Sequence, residues 1–429
     1  MKEKNKIIAN TVWLLSEKTI NIIGLIFVTS FVAKYIGPTN FGKLSLATYL
    51  FSLVQTVAIW GTDTLCVKRI SRNKASGMAL LFSLSKLRLS VFFIIAMPVL
   101  VYIYMSSGII AFYFSLAVAI STFIYIQDVY IIANNATYQS KFNVVSNVIG
   151  LAISLLVRYF IAYFKLDVIW LSIPIVTINL IPFALRFFLF RYNSRESNIK
   201  VSKRVKNEYS RYIFYAGFPL VISSISVAIY FNTSRLMLGA VESVKELGIY
   251  SVAITLGSAW SFVNNAFVTS MTPKLYSSNN KDTSMLISAF MGQFIILISF
   301  LYFVFFFFVG DYAVSILYGH AYLQAFQVTI PLIFSTMISS LGMPTSRFIV
   351  HHEGYGFLGK KTIIVSIVGL LISYLLIHKY GIMGAAYSTL LVEILSLTIM
   401  NYFFKHGVVL KMHLKMLDFT LFKKIFQKD

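Results

Sequence analysis

Acidic residues are scarce in this chain: Asp and Glu number 15 among 429 residues, against 37 Lys and Arg. An acidic cavity, of the kind an exporter of cationic drugs needs, therefore has little to be built from. Charge of either sign is rare, at 12%, while 58% of residues are hydrophobic and the mean hydropathy is +0.78. No soluble domain of this length carries such a composition on its surface. Cysteine occurs once, as Cys66, which excludes an intrachain disulfide and places a lone thiol in a cytoplasmic loop. Enzyme motifs are missing too. "GYGFLGKKT", from Gly354, has the glycine spacing of a phosphate loop, but Lys361 stands where the Mg²⁺-binding Ser/Thr is needed and a membrane helix follows. "HHE" at His351–Glu353 lacks metal-ligand spacing, because consecutive helical side chains diverge. Neither a nucleophile elbow nor a metalloprotease motif is present, so nothing in the sequence points to an enzyme or to a cofactor.

What the sequence has in abundance is apolar runs. Leu89 to Gln127 contains no charged residue and is interrupted only by "MSSG" at Met105–Gly108, enough for two membrane-length helices. In a bilayer such segments must be helical, since lipid cannot satisfy an open backbone. Punctuation by charged and Gly/Pro/Asn clusters gives about twelve spans. They fall near 11–33, 40–62, 79–104, 108–132, 142–164, 167–190, 212–238, 247–270, 285–310, 325–349, 361–378 and 383–404. The first is too long for a signal-peptide core and reads as a retained helix. Lys and Arg crowd alternate loops, as in Lys68, Arg69, Arg72 and Lys74, and again in Arg191–Arg211. The intervening loops carry only isolated Lys34, Lys43, Lys165, Lys245 and Lys379. This bias predicts both termini in the cytoplasm. It also assigns most of the +22 net charge to anchoring on an anionic leaflet, so nucleic acid is not needed as a partner.

The chain repeats itself. "FGKLSLATYLFSL" at Phe41–Leu53 is answered by "LGIYSVAITLGSA" at Leu247–Ala259, each at the outer entrance of the second helix of its half. The basic stretch from Arg191 to Tyr212 separates the halves. The expected organisation is a six-helix lobe over 1–190, a linker over 191–211, a second six-helix lobe over 212–404 and a basic tail over 405–429. Each repeat carries a mostly polar face at steps of four and three: Ser45, Tyr49, Ser52, Thr56, Ile59 and Asp63 in the first, Ser251, Thr255, Ser258, Phe262, Asn265 and Thr269 in the second. Two readings fit such a stripe equally, close helix packing through small hydroxyls or the wall of a wet cavity.

A cation placed in a membrane helix costs about 2.5 to 3.5 kcal/mol near the centre, and is normally kept for pairing, water or substrate. Lys18, beside Glu17 and on a stripe with Asn21, and Arg158 and Arg235 are candidate cavity cations. Lys86, Arg88 and Arg347 lie nearer cytoplasmic ends, where anchoring competes with substrate binding; Arg186 is read as an anchor. Glu393 stands mid-helix, where it either pairs or exchanges protons; Asp63 and Asp128 are read as helix ends, solvated by default.

"AKYIGPTNFGKLSLA" at Ala33–Ala47, "TPKL" at Thr272–Leu275, "LYGHAYLQA" at Leu317–Ala325 and "KYGIMGAAYSTLL" at Lys379–Leu391 resemble the signatures of Wzx-type polysaccharide flippases. Those belong to the MOP superfamily, with MurJ-type lipid flippases and MATE exporters. The resemblance implies an all-α polytopic membrane fold, two six-helix lobes around a central cavity. It implies movement of undecaprenyl-pyrophosphate-linked oligosaccharide, an O-antigen or capsule repeat unit, across the bacterial inner membrane by alternating access. Coupling to an H⁺ or Na⁺ gradient, contact with membrane lipids, a polysaccharide polymerase and chain-length regulator as partners, and action as a monomer go with it. The chain departs from the pattern at His378, where the family often has Pro, and in lacking a cation inside the second and eighth helices. A MATE-like ion-coupled exporter and a membrane polysaccharide polymerase remain as alternatives, the second disfavoured by the short outer loops. Beyond the last span, Leu410, Leu414, Leu417, Leu421 and Ile425 beside Lys411, Lys415, Lys424 and Lys428 predict an interfacial amphipathic helix that transport can do without.

Overall fold

The computed structural model describes residues 2–418 apart from 64–65, 67–68, 71–73, 84, 138, 194–202 and 279. Side chains are described outside 1–23, 25–27, 74–75, 82, 85–86, 192–214, 216–220 and 223 as well. Every regular element among the described residues is helical. Eight helices are long and apolar enough to cross a membrane, or nine if one bent pair counts as a single span. The protein is a multi-pass membrane protein of all-α fold. It divides into two compact units, Met1–Ile229 and Tyr230–Asp429.

In the first unit α1 runs over Lys2–Ile59. Between the two spans expected there, the chain turns without a loop, at Gly37 alone (φ 74°, ψ 168°), with Pro38 following. A positive φ suits glycine and bends the helix without ending it. Then come α2 (Lys74–Ser83), α3 (Ser85–Ser106), α4 (Gly108–Gln127), α5 (Val129–Ala136), α6 (Ser140–Tyr163) and α7 (Ser172–Asn193). The Asp167 side chain accepts the backbone N–H of Ile169 at 2.9 Å and so starts the 3₁₀ turn Val168–Leu171 that leads into α7. Helix α6 packs on α1 and α7, and α4 on α1, α3 and α7. Cys66 is not on a loop surface. It is fully buried with Ile70, Leu80, Leu81 and Ile132, and burial pushes its thiol up to about 12.

Helix α8 is continuous over Lys203–Val241, so the boundary between the units falls inside it. Most of the expected linker lies outside the described residues. The second unit continues with α9 (Val244–Ser258) and α10 (Ser261–Tyr276), bent by 44° at Ala259–Trp260. Ser243 caps α9 by accepting the N–H of Glu246 at 3.2 Å. Next are α11 (Lys281–Tyr318), α12 (Gln324–His351) and α13 (Tyr355–Ile394), kinked at Gly381 (φ 55°). Gly381 does for the last two expected spans what Gly37 does for the first two. A π-helical turn, Leu395–Ile399, continues α13 into the short α14 (Met400–Tyr402). Phe300, Phe305, Phe307 and Phe308 of α11 are more than half exposed, a face made for lipid contact.

The tail begins as α15 (Val408–Lys415). It lies against the second unit through a face the leucine spacing did not single out. Val409 and Met412 are fully buried with Met285, Ala289, Phe348 and Ile349, and Gln293 Nε2 donates to the carbonyls of Met416 (2.9 Å) and Asp418 (2.7 Å). Leu410, Leu414 and Leu417 are exposed beside Lys411, while Leu421, Ile425, Lys424 and Lys428 lie outside the described residues. The tail helix is thus seated in the core of its unit through this second face.

Candidate functional site

The second unit encloses a cavity of about 220 Å³ walled by hydroxyls. Ser258 and Ser261 come from the α9–α10 bend, Ser335, Thr336, Ser339 and Ser340 from α12, Ser366, Ser373 and Thr389 from α13, and Thr233 and Ser234 from α8. Each group stands on one helix face: Ser366, Gly369 and Ser373 are spaced by three and four, as are Thr336, Ser340 and Met343. Serine hydroxyls in membrane helices are commonly satisfied by the carbonyl one turn back, and Ser366 follows that rule, donating to Thr362 O at 2.8 Å. Their oxygens remain acceptors toward the cavity. Across the interior, Ser234 Oγ lies 3.1 Å from Ser388 Oγ, and Thr389 Oγ1 lies 2.8 Å from the Tyr250 hydroxyl.

Two charged side chains enter this lining, Arg235 and Glu393. Arg235 donates from Nη1 to Asn232 Oδ1 at 3.1 Å. Glu393 is 6% exposed and accepts the Tyr230 hydroxyl at 2.6 Å on Oε2. The π turn begins two residues beyond it. A π turn leaves carbonyls without their helical partners, and here Lys361 supplies one: its Nζ donates to Ser396 O at 3.1 Å and to Asn401 Oδ1 at 2.9 Å. Lys361 is 4% exposed and lies inside α13. Tyr230 and Glu393 are thus bonded to each other in the cavity wall, and Lys361 holds the π turn that follows.

Of the cations expected to meet substrate, Arg88 is corrected. Its guanidinium, 2% exposed, is filled by the protein: Nη2 pairs with Asp63 Oδ1 at 2.6 Å, Nε donates to Thr62 Oγ1 at 3.1 Å and Nη1 to Ile126 O at 3.0 Å. Asp63, counted among the cavity acids, is the other half of that pair. Asp63 nonetheless keeps the side-chain exposure expected of a helix end, at 44%, whereas Asp128 is no solvated terminus. It sits at the break between α4 and α5, buried, with Oδ2 held by Arg186 Nε at 2.8 Å. Arg158, on the side of α6 where Leu151 and Leu155 meet Gly24 of α1, is half-buried and has no ion-pair partner among the described residues. Among the described residues, Arg347 hydrogen-bonds threonine hydroxyls alone. The side chains of Lys18, Glu17, Asn21 and Lys86 lie outside the described residues.

The repeated polar stripes divide between the two readings. Ser52 donates to Tyr49 O at 2.7 Å and Thr255 to Ser251 O at 2.8 Å, helix-internal bonds that suit close packing. Ser258 reaches the cavity wall, and Asn265 Oδ1 accepts Thr269 Oγ1 at 3.4 Å below it. Sequence reasoning missed Tyr230 and the serines of α12 and α13. Their spacing of three and four was available as a signal but lay outside the repeated segment.

Residues 7–279 match the family model described as "Polysaccharide biosynthesis protein". A curated relative, the capsular polysaccharide biosynthesis protein CapF of Staphylococcus aureus, is 26% identical over 225 residues, 50% of this chain and 55% of that protein. The matched region thus spans about half the length of that relative. Among solved structures, the lipid II flippase MurJ in an inward closed conformation superposes with a TM-score of 0.69 at 12% identity, covering 98% of this chain and 93% of MurJ. An inward-facing MATE multidrug transporter gives a TM-score of 0.61 at 12% identity, covering 88% of this chain and 93% of that one. At such identities the likeness is one of fold.

Proposed function

Since the chain belongs to the polysaccharide biosynthesis protein family, we propose that it is a flippase for an undecaprenyl-pyrophosphate-linked oligosaccharide, a capsule or O-antigen repeat unit. It moves this substrate from the cytoplasmic to the outer leaflet of the bacterial inner membrane, without covalent chemistry. The observation that carries the reading is the hydroxyl-walled cavity with Arg235 and Glu393 inside a membrane unit. Such a wall donates and accepts hydrogen bonds as sugar hydroxyls require, and membrane helices do not keep that many polar groups without use. The name of the relative CapF supports a capsular repeat. The two units act as the lobes of an alternating-access transporter, each a six-helix half, both termini cytoplasmic. Glu393 exchanges the coupling proton. Its carboxylate already receives the Tyr230 hydroxyl and stands near the Lys361 ammonium, so a proton fits there more readily than Na⁺, which needs several free oxygen ligands. A MATE-like export of organic cations is disfavoured by the arginine in the same lining.

The test is reconstitution of the full chain in liposomes holding a fluorescent lipid-linked oligosaccharide, with a membrane-impermeant lectin reporting the outer leaflet. Protein-dependent exposure of the glycan, faster under an imposed proton gradient, is expected. Exposure no faster than in empty liposomes ends the reading.

A further inference from the structure

Three arginines near the ends of membrane helices hold different kinds of partner. Arg88 and Arg186 are closed by the carboxylates of Asp63 and Asp128. Arg347, in the C-terminal part of α12, is not. Its Nη1 donates to Thr272 Oγ1 at 2.6 Å and its Nη2 reaches Thr269 Oγ1 at 3.4 Å, both on α10. Thr272 gives its own hydroxyl proton to Val268 O at 2.6 Å, so its oxygen is committed to accepting from the guanidinium. Among the described residues no carboxylate lies within ion-pair distance of Arg347. A guanidinium has five N–H donors in a planar fork, and the hydroxyls take two. The group is half-buried, fixed in orientation, and keeps both its charge and spare donors.

Its place in the unit gives that charge a direction. Thr336, Ser340 and Met343 of α12 line the cavity, and Arg347 is the next position on the same face, at steps of four, three and four. On α10 the face from Ser261 through Asn265 leads to Thr269 and Thr272. Arg347 is therefore the cationic end of a polar track that begins at the cavity wall. We propose that Arg347, held by Thr269 and Thr272, is a receptor for a phosphate-type anion, the diphosphate of the lipid-linked substrate, on the face that the loop charges place in the cytoplasm. This rests on the flippase reading above and adds the atoms that meet the headgroup. Planar bidentate donation is the geometry a phosphate or diphosphate accepts best. Ordinary anionic phospholipid offers related chemistry, so the test must separate the two sources.

The full chain is placed in nanodiscs of phosphatidylcholine and titrated with inorganic pyrophosphate by calorimetry. Parent protein is expected to bind, Arg347→Gln to lose at least about tenfold in affinity, and Arg347→Lys to recover part of it, since a point charge replaces the fork. Thr269→Val, at an exposed position that leaves packing alone, should weaken binding several-fold and guards against misfolding of the arginine variant. Equal affinity in parent and Arg347→Gln overturns the proposal. Nanodiscs containing phosphatidylglycerol distinguish the sources. If that lipid abolishes pyrophosphate binding by the parent, the site takes ordinary headgroups and the diphosphate assignment falls; undiminished binding upholds it. The titration contains no glycan, so failure of the flippase reading, seen in liposomes, leaves its outcome unaffected.

Discussion

Glu393 is the residue on which transport and stability separate most cleanly. Exchange for Gln keeps an acceptor for the Tyr230 hydroxyl, bonded at 2.6 Å, and keeps the shape of the cavity, but removes the carboxylate that we propose exchanges the coupling proton. Glu393→Gln is therefore expected to leave the protein in the membrane at normal abundance while surface polysaccharide falls at least about tenfold, the scale on which loss of a proton-transfer group acts. Tyr230→Phe removes one hydrogen bond and leaves the carboxylate, so its effect should be several-fold smaller. Immunoblots and glycan staining of the same cells give both readouts; export intact in Glu393→Gln would make the carboxylate structural. Glu393 was legible in the sequence because a lone acid midway along an apolar run is conspicuous. Tyr230 was not, since one tyrosine among 26 carries no mark until a helix distant in sequence brings a carboxylate to its hydroxyl.

At the scale of elements, α15 shows what a repeating pattern can and cannot tell. The leucine spacing located a helix, and one exists over Val408–Lys415. It did not tell which face is seated, because Val409, Met412 and Met416 form a second apolar face between the leucines, and only the opposing α11 and α12 decide which one docks. His413 fastens the arrangement, with Nε2 3.1 Å from Thr345 Oγ1 and Nδ1 3.2 Å from the Tyr402 hydroxyl. Burial lowers its pKa to about 4. An unfolded histidine takes up its proton near about 6.5, so the released tail binds the extra proton as pH drops. The clasp is fully stabilising above that value and is weakened as pH falls toward 4. The melting temperature should decline between pH 7 and pH 5, and His413→Gln should reduce that slope. A stop codon after Lys405 should lower abundance, since burial of each such apolar side chain contributes about 1.5–3 kcal/mol. A truncated protein with unchanged melting temperature would return the tail to the status of an appendage.

For the whole molecule, hydropathy and composition were enough for an all-helical membrane chain, because lipid leaves the backbone no other choice. The individual turns were less legible. Gly37 and Gly381 bend without a loop, and Asp128 breaks a helix in the interior, so neither composition nor loop length announced them. Orientation follows from loop charge and is checked by reporter fusions. Fusions after Lys281 should report the cytoplasm, and fusions at Lys245 and Asp311 the outside; the reverse pattern at Lys281 would invert the lobe and with it the side from which Arg347 receives its anion. The two closed pairs of the first unit, Arg88 with Asp63 and Arg186 with Asp128, have a consequence for energy input. A pair with no net charge can be carried through part of the membrane field without electrical work, whereas one uncompensated charge gains about 2.3 kcal/mol per 100 mV. In the alternating-access cycle proposed above, moving these pairs would therefore cost the same at any membrane voltage. A voltage applied across the membrane acts instead on groups whose charge changes or stands outside an ion pair, which on the readings proposed above include Glu393, exchanging a proton, and Arg347, exchanging an anion.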